Sequence, residues 1–200
     1  MGSDSGQLNR ASLSFYIDTN IIDATDDASV FLRRLNDEAW VYLQRTDVMD
    51  TELASAPADK WASLTGASST YPEALGPGVW GHSRWDHAVW GNEDDGERIE
   101  RVRQILHGSA TGARKGTNHL RDAMHIATAI RYGSDGFVTH DSRALKKAQA
   151  ISEVFSGFNL LSPLAAVGLA RARIKSVREL HRLEPQRGML PEWPGDSDWP

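Results

Sequence analysis

The chain contains no cysteine. Disulfides and any thiolate-held zinc or iron–sulfur centre are therefore excluded, and the absence is compatible with a reducing cytoplasm. No apolar run is long enough to span a bilayer, and the opening MGSDSGQLNR lacks a hydrophobic signal core. The expectation is a soluble intracellular protein. No internal repeat is visible. Positive charge is short overall, with 22 lysines and arginines against 27 acidic residues and a net charge of −5. That balance by itself argues against a nucleic-acid ligand. Its distribution argues the other way: residues 98–187 hold 16 of the 22 basic residues and only 7 of the 27 acidic ones. Such asymmetry can place a phosphate-attracting face on an acidic protein, although solvated basic helices would give the same pattern.

A length of 200 residues suits one domain with an ordinary core. Residues 1–12 are small and polar and read as a disordered lead-in. LSFYI (13–17) has the composition of a buried strand and runs straight into the polar turn Asp18-Thr19-Asn20. Asp26 and Asp27 can start a helix carrying Val30, Phe31 and Leu35. WVYLQ (40–44) reads as a second strand, with Thr46 or Asp47 capping the helix that follows. From Thr65 to Asn92 the periodicity disappears, so about 66–93 reads as a long insertion or lid containing Trp80, Trp85 and Trp90. Helical spacing returns at 95–107, a loop covers 108–116, and a helix follows over 119–132. Strands at 137–139 and 158–161 flank a helix from about Ser142 to Ser152. Pro163 opens a long basic helix to about Leu183. The tail, 184–200, has the composition of a disordered or loosely docked segment. Strands alternating with helices predict an α/β fold, a three-layer sandwich around a mainly parallel sheet.

In such sheets ligands bind beyond the C-terminal ends of the strands. Four stretches place an acid there: Asp18 in SFYIDTNIID, Glu52 in TDVMDTELA, Asp122 in NHLRDAMHIATA and Asp141 in GFVTHDSRALKKA. Carboxylates gathered from distant segments repel one another and need protonation or a cation. Oxygen-only donors with open positions suit Mg²⁺ or Mn²⁺. Each acid also has an ordinary explanation. Asp18 or Asp141 could be a helix cap, and Glu52 and Asp122 could be first-turn acids complementing a helix dipole.

The pieces YIDTNIIDA, TDVMDTEL, RDAMHIATA and FVTHDSRALKKA, in this order across most of residues 13–162, resemble the PIN-domain nucleases, including the VapC-like toxin ribonucleases of toxin–antitoxin pairs. DAMHIATA followed by VTHD is the more specific part of the likeness. The resemblance implies a PIN-like fold and an endoribonuclease holding one or two Mg²⁺ or Mn²⁺ ions through Asp18, Glu52, Asp122 and Asp141. It also implies RNA as substrate, and leaves an antitoxin-like protein partner and a homodimer open. Two features depart from the family pattern: the tryptophan-containing insertion, and the basic C-terminal helix with its tail.

Asn20 and Thr139 stand beside the acids as candidates for hydrogen bonds that hold the carboxylates, although each could simply be a turn or strand-end residue. Arg114, Lys115, Arg143, Lys146 and Lys147 are candidates for contacts to flanking phosphates, the last three by helical spacing from Asp141. His125 reads as a helix histidine bonded to neighbouring backbone. Asp50, two residues from Glu52, points to another side of its helix. Asp23 and Asp47 look like surface or capping residues. His82, Arg84 and His87 could meet RNA bases, while the tryptophans around them suit a small satellite core. Two rival functions stand against a nuclease. An Asp-nucleophile phosphatase needs a second Asp where Asn20 stands. A non-catalytic PIN-like domain that binds RNA or protein would gain nothing from four retained acids.

Overall fold

Alternation decides how the first strand is used. In β1 (Leu13–Ile17) the side chains of Leu13, Phe15 and Ile17 enter one apolar cluster, while Tyr16 enters another on the opposite face. In the computed structural model, which describes residues 12–54, 57–79, 83, 88–108, 117–187 and 189–200, this strand is central. It pairs in parallel with β2 (Val41–Thr46) on one side and β4 (Gly136–Val138) on the other. β3 (Glu73–Ala74) extends the sheet beyond β2 and β5 (Asn159–Leu161) beyond β4, in the all-parallel order β3-β2-β1-β4-β5. The chain winds outward from β1 in one direction, then returns to its other side at β4. Their C-terminal ends therefore frame the crevice where such sheets bind ligands.

Helices cover both faces. α1 (Thr19–Ile22) follows β1 directly, and Asp26 caps α2 (Asp27–Asp37) by accepting from the Ser29 amide at 3.0 Å. α2 and the long α9 (Pro163–Leu183) cover one face with Leu32, Leu35, Val167, Ile174 and Val177. Ser162 caps α9, and Pro163 supplies its first position. α5 (Glu93–His107) and α6 (Thr117–Arg131) cover the other face with Ile99, Val102, Met124 and Ile126. These two helices run antiparallel: His107 meets His119 at one end, and Asp95 pairs with Arg131 at the other. The result is the α/β three-layer sandwich expected from the sequence. No described helix is long and apolar enough to cross a membrane.

Four details differ from expectation. The stretch at 66–93 is not patternless. α4 (Ala58–Ser68) enters it, β3 lies within it, and Pro77 bridges Val89. β3 is too short to show a period and is held from outside, by Arg45 and Asp47 amides donating to Pro72 and Ala74 at 2.9 and 3.1 Å. Just after β3, Tyr132 donates to the Leu75 carbonyl at 2.9 Å, which ties this point of the segment to the residue that follows α6. The helix expected from Ser142 to Ser152 is two pieces, α7 (Ser142–Leu145) and α8 (Ala148–Val154).

α6 begins at Thr117, which places Asp122 in its second turn. The tail is docked. The Trp40 indole donates to the Trp193 carbonyl at 2.6 Å, and Arg178 donates to the carbonyls of Pro191, Glu192 and Pro194. Phe31 sits 4.9 Å from the Trp193 ring and 5.1 Å from that of Trp199, and Arg34 lies over Trp193. Average composition underrates this segment because two half-buried tryptophans and the buried Pro194 anchor it. Residues 1–11 of the expected lead-in, Trp80, Trp85, His82, Arg84, His87, most of the 108–116 loop, and with it Arg114 and Lys115, lie outside the described residues.

Candidate functional site

Asp18 extends the ladder of β1 by one residue, its amide donating to the Val138 carbonyl at 2.9 Å. Thr139 does the same for β4, donating to Leu161 at 2.9 Å. The two residues thus stand side by side at the C-terminal edge of the sheet. The Thr139 hydroxyl donates to Asp18 Oδ2 at 2.5 Å and accepts from the Asn20 amide at 3.2 Å and the Asp141 backbone N–H at 2.9 Å. That uses one donor and two acceptor positions, the full capacity of a hydroxyl. Asn20 also donates to Asp18 Oδ2 at 2.8 Å and accepts from the His140 amide at 3.1 Å. Asp18 occupies the cap position of α1 but makes no side-chain cap bond, so the cap explanation does not describe it. Asp141 is a cap: it accepts from the Arg143 amide at 2.7 Å.

Glu52 lies in the second turn of α3 (Val48–Leu53), and neither it nor Asp122 is a first-turn acid. Its Oε2 accepts from the Thr19 hydroxyl at 2.5 Å and sits 3.4 Å from Nε2 of His125. Asp50 turns to Arg45 instead, as its spacing requires. Asp122 sits 3.4 Å from Nε2 of His107, which stacks flat on His119 with centroids 3.9 Å apart.

The charges register this proximity. Burial and the carboxylates of Glu52, Asp18 and Asp141 push the Asp122 carboxyl up to about 6, against a smaller opposing effect of His125. Burial also raises Asp18, and Glu52 adds to that, with His125 and Thr139 only partly offsetting them. Burial would raise Glu52 as well, but the charge and contact of His125 and the Thr19 hydroxyl outweigh it and hold the acid down to about 2. His125 is the converse: burial lowers it, and the charges of Glu52, Asp18 and Asp122 more than reverse that.

Among the described residues, no group of three or more His, Asp or Glu side chains is placed so that it could hold a metal ion. The donor chemistry nonetheless fits Mg²⁺ or Mn²⁺. These ions retain several waters and take one or two carboxylates directly, and a cation beside Asp122 would offset the neighbouring carboxylates that add to its burial. Two cavities of about 400 and 590 Å³ are lined by none of the four acids.

Several expectations change here. His125 is buried and contacts the side chains of Thr46 and Glu52, not neighbouring backbone. Asp47 is neither surface nor cap. It is 2 % exposed, makes no side-chain cap bond, and accepts from the Gly76 amide at 2.9 Å. Asp23 is exposed at the end of α1. Arg143, Lys146 and Lys147 are exposed, but the helix that was to align them ends at Leu145, leaving both lysines at the α7–α8 junction. His107 and His119 were not singled out from the sequence. The three-residue spacing of His119 and Asp122 could have suggested one of them; His107 arrives from another helix. A Ser29–His140–Asp26 cluster resembles a nucleophilic triad only superficially, because serine and aspartate both meet Nε2 of the same ring. A relay needs one partner on each nitrogen.

No protein-family model matches this chain, and no curated protein matches it significantly.

Proposed function

We propose that the protein is a Mg²⁺- or Mn²⁺-dependent endoribonuclease of PIN type, hydrolysing RNA phosphodiester bonds at the edge formed by Asp18, Glu52, Asp122 and Asp141. The observation that carries this reading is at Asp122, whose carboxyl is pushed up to about 6 by burial and by the carboxylates of Glu52, Asp18 and Asp141, drawn from three other segments. A purely structural surface has no use for carboxylates so placed, since they repel one another and repel phosphate. A divalent ion held there supplies Lewis-acid charge for phosphodiester hydrolysis. The protein's own share is positional. Thr139 and Asn20 fix Asp18, Thr19 donates to Glu52, and the Asp141 backbone is tied to Thr139. Arg143, Lys146 and Lys147 follow Asp141 closely enough to meet phosphates on either side of the cut. A cysteine-free chain of this kind suits the cytoplasm, and an antitoxin-like partner or a pair of identical subunits fits the same proposal.

One observation favours a second reading, a non-catalytic domain binding RNA or protein: Asp18 and Glu52 already take hydrogen bonds from within the protein. RNA incubated with the protein in Mg²⁺ and in EDTA separates the two. The nuclease cuts only with the metal, at ends that can be mapped. Equal binding in both conditions with no cleavage in either supports the second reading.

A further inference from the structure

The four-acid scheme leaves one polar residue beneath it unused. His125 lies on α6, three residues after Asp122, and is only 2 % exposed. Its Nδ1 contacts the hydroxyl of Thr46, itself fully buried at the end of β2. Its Nε2 faces Glu52 Oε2 at 3.4 Å. Nδ1 is therefore committed to Thr46, while Nε2 stands within ion-pair range of Glu52 without a hydrogen-bond partner among the described residues, and the ring cannot turn without losing the Thr46 contact. Glu52 meets Thr19 from α1 on the same oxygen at 2.5 Å. Three elements of the fold, β2, α6 and α1, thus converge on one carboxylate.

We infer that His125 is a positioning residue, a link running from Thr46 to Glu52 that sets the orientation in which Glu52 serves the divalent-ion site. The inference rests on the nuclease reading and deepens it. Packing alone does not account for this residue. Filling the space beside Phe137, whose ring centroid lies 6.0 Å away, asks only for an apolar group. A buried imidazole introduces polar atoms that cost stability unless they are used. Partners that orient ligating carboxylates act through geometry, and losing one weakens metal binding more than it alters substrate binding.

The test is calorimetric titration of Mn²⁺ into the metal-free wild-type protein, H125Q, H125L and T46V, with each substitution repeated in an E52Q background. Gln can present an amide N–H near the position of Nε2, whereas Leu fills the space without one. H125L is expected to bind Mn²⁺ about tenfold to a hundredfold more weakly, with H125Q recovering most of the loss. T46V, which keeps the imidazole and the volume, shifts affinity in the same direction by less, and decides the matter if H125L does not fold. In E52Q none of the three substitutions has a further effect. In RNA cleavage kcat falls while KM holds. Unchanged Mn²⁺ affinity in H125L or T46V, or equal losses with Glu52 and with Gln at that position, overturns the inference and leaves the nuclease reading standing. A wild-type protein that takes up no Mn²⁺ overturns both.

Discussion

The hydroxyl of Thr139 donates to the carboxylate of Asp18 at 2.5 Å, joining residues 121 positions apart at the point where the sheet changes winding direction. This bond fixes the first acid of the site, and its loss is testable. T139V leaves Asp18 with Asn20 as its remaining side-chain donor and removes the acceptor of the Asp141 N–H. Metal affinity is expected to fall about tenfold to a hundredfold, and stability by about 1–3 kcal/mol. T139S keeps the hydroxyl and should retain both. Equal behaviour of T139V and T139S in Mn²⁺ titration and thermal melts would show that the bond is incidental.

The perturbed acids predict opposite pH trends. Asp122 is raised from an ordinary value near 3.8 to about 6, by burial and by its carboxylate neighbours. Between those values the folded state holds more protons than the unfolded one, so this group's contribution to stability declines as pH rises through that window. Glu52 is held down to about 2 by His125 and Thr19 against its burial, so its contribution is present above about 4.5 and is lost as pH falls toward 2. In EDTA, D122N should therefore melt above wild type at pH 7 and level with it near pH 3.5. Saturating Mn²⁺ should narrow or reverse the difference at pH 7, and metal affinity should rise with pH through about 6. A D122N protein no more stable than wild type at pH 7 in EDTA would mean that the acids exert no common field.

The docked tail makes a prediction about stability alone. Trp193 is half-buried, packs on Phe31 and under Arg34, and accepts the Trp40 indole through its backbone. W193A should cost about 2 kcal/mol, less than a fully buried tryptophan, and lower Tm by about 4–8 °C for a chain of this size. The anchors lie on α2, on α9 and at Trp40, so Mn²⁺ affinity should hold. An unchanged Tm would place the tail off the protein in solution.

Substrate contacts are tested by salt. Neutralising Lys146 and Lys147 together should raise KM for RNA and flatten its dependence on salt, because fewer counterions are released on binding. Their place at a helix junction, rather than on one helix face, makes additive effects of the single changes the expectation. Wild-type KM and salt slope in the double variant would assign these lysines to solvent alone.

Much of the fold was legible because it is local. LSFYI carries its own strand signal, and Pro163 and Asp26 announce helix starts that the structure confirms. What could not be read depends on partners far along the chain. Glu73–Ala74 becomes a strand only because β2 is beside it. His125 looks like an ordinary helix residue until Thr46, 79 positions earlier, is brought against it. Lys146 and Lys147 show how spacing misleads: helical periodicity was correct up to Leu145, and the break beyond it leaves no clear mark in the composition. For the acids, the sequence places each at a strand end or helix turn, but the hydrogen bonds that turn Asp18 away from capping come from Thr139 and Asn20.

The central claim is that these acids form one divalent-ion site that cuts RNA, and the most direct measurement is cleavage of a mixed RNA pool by wild type and D18N at limiting Mg²⁺. Asn keeps the shape of the side chain and removes the charge that holds the ion. Cleavage should be present in wild type, absent in EDTA, and reduced by several orders of magnitude in a D18N protein that melts no lower than wild type. Cleavage by D18N at the wild-type rate would contradict the account.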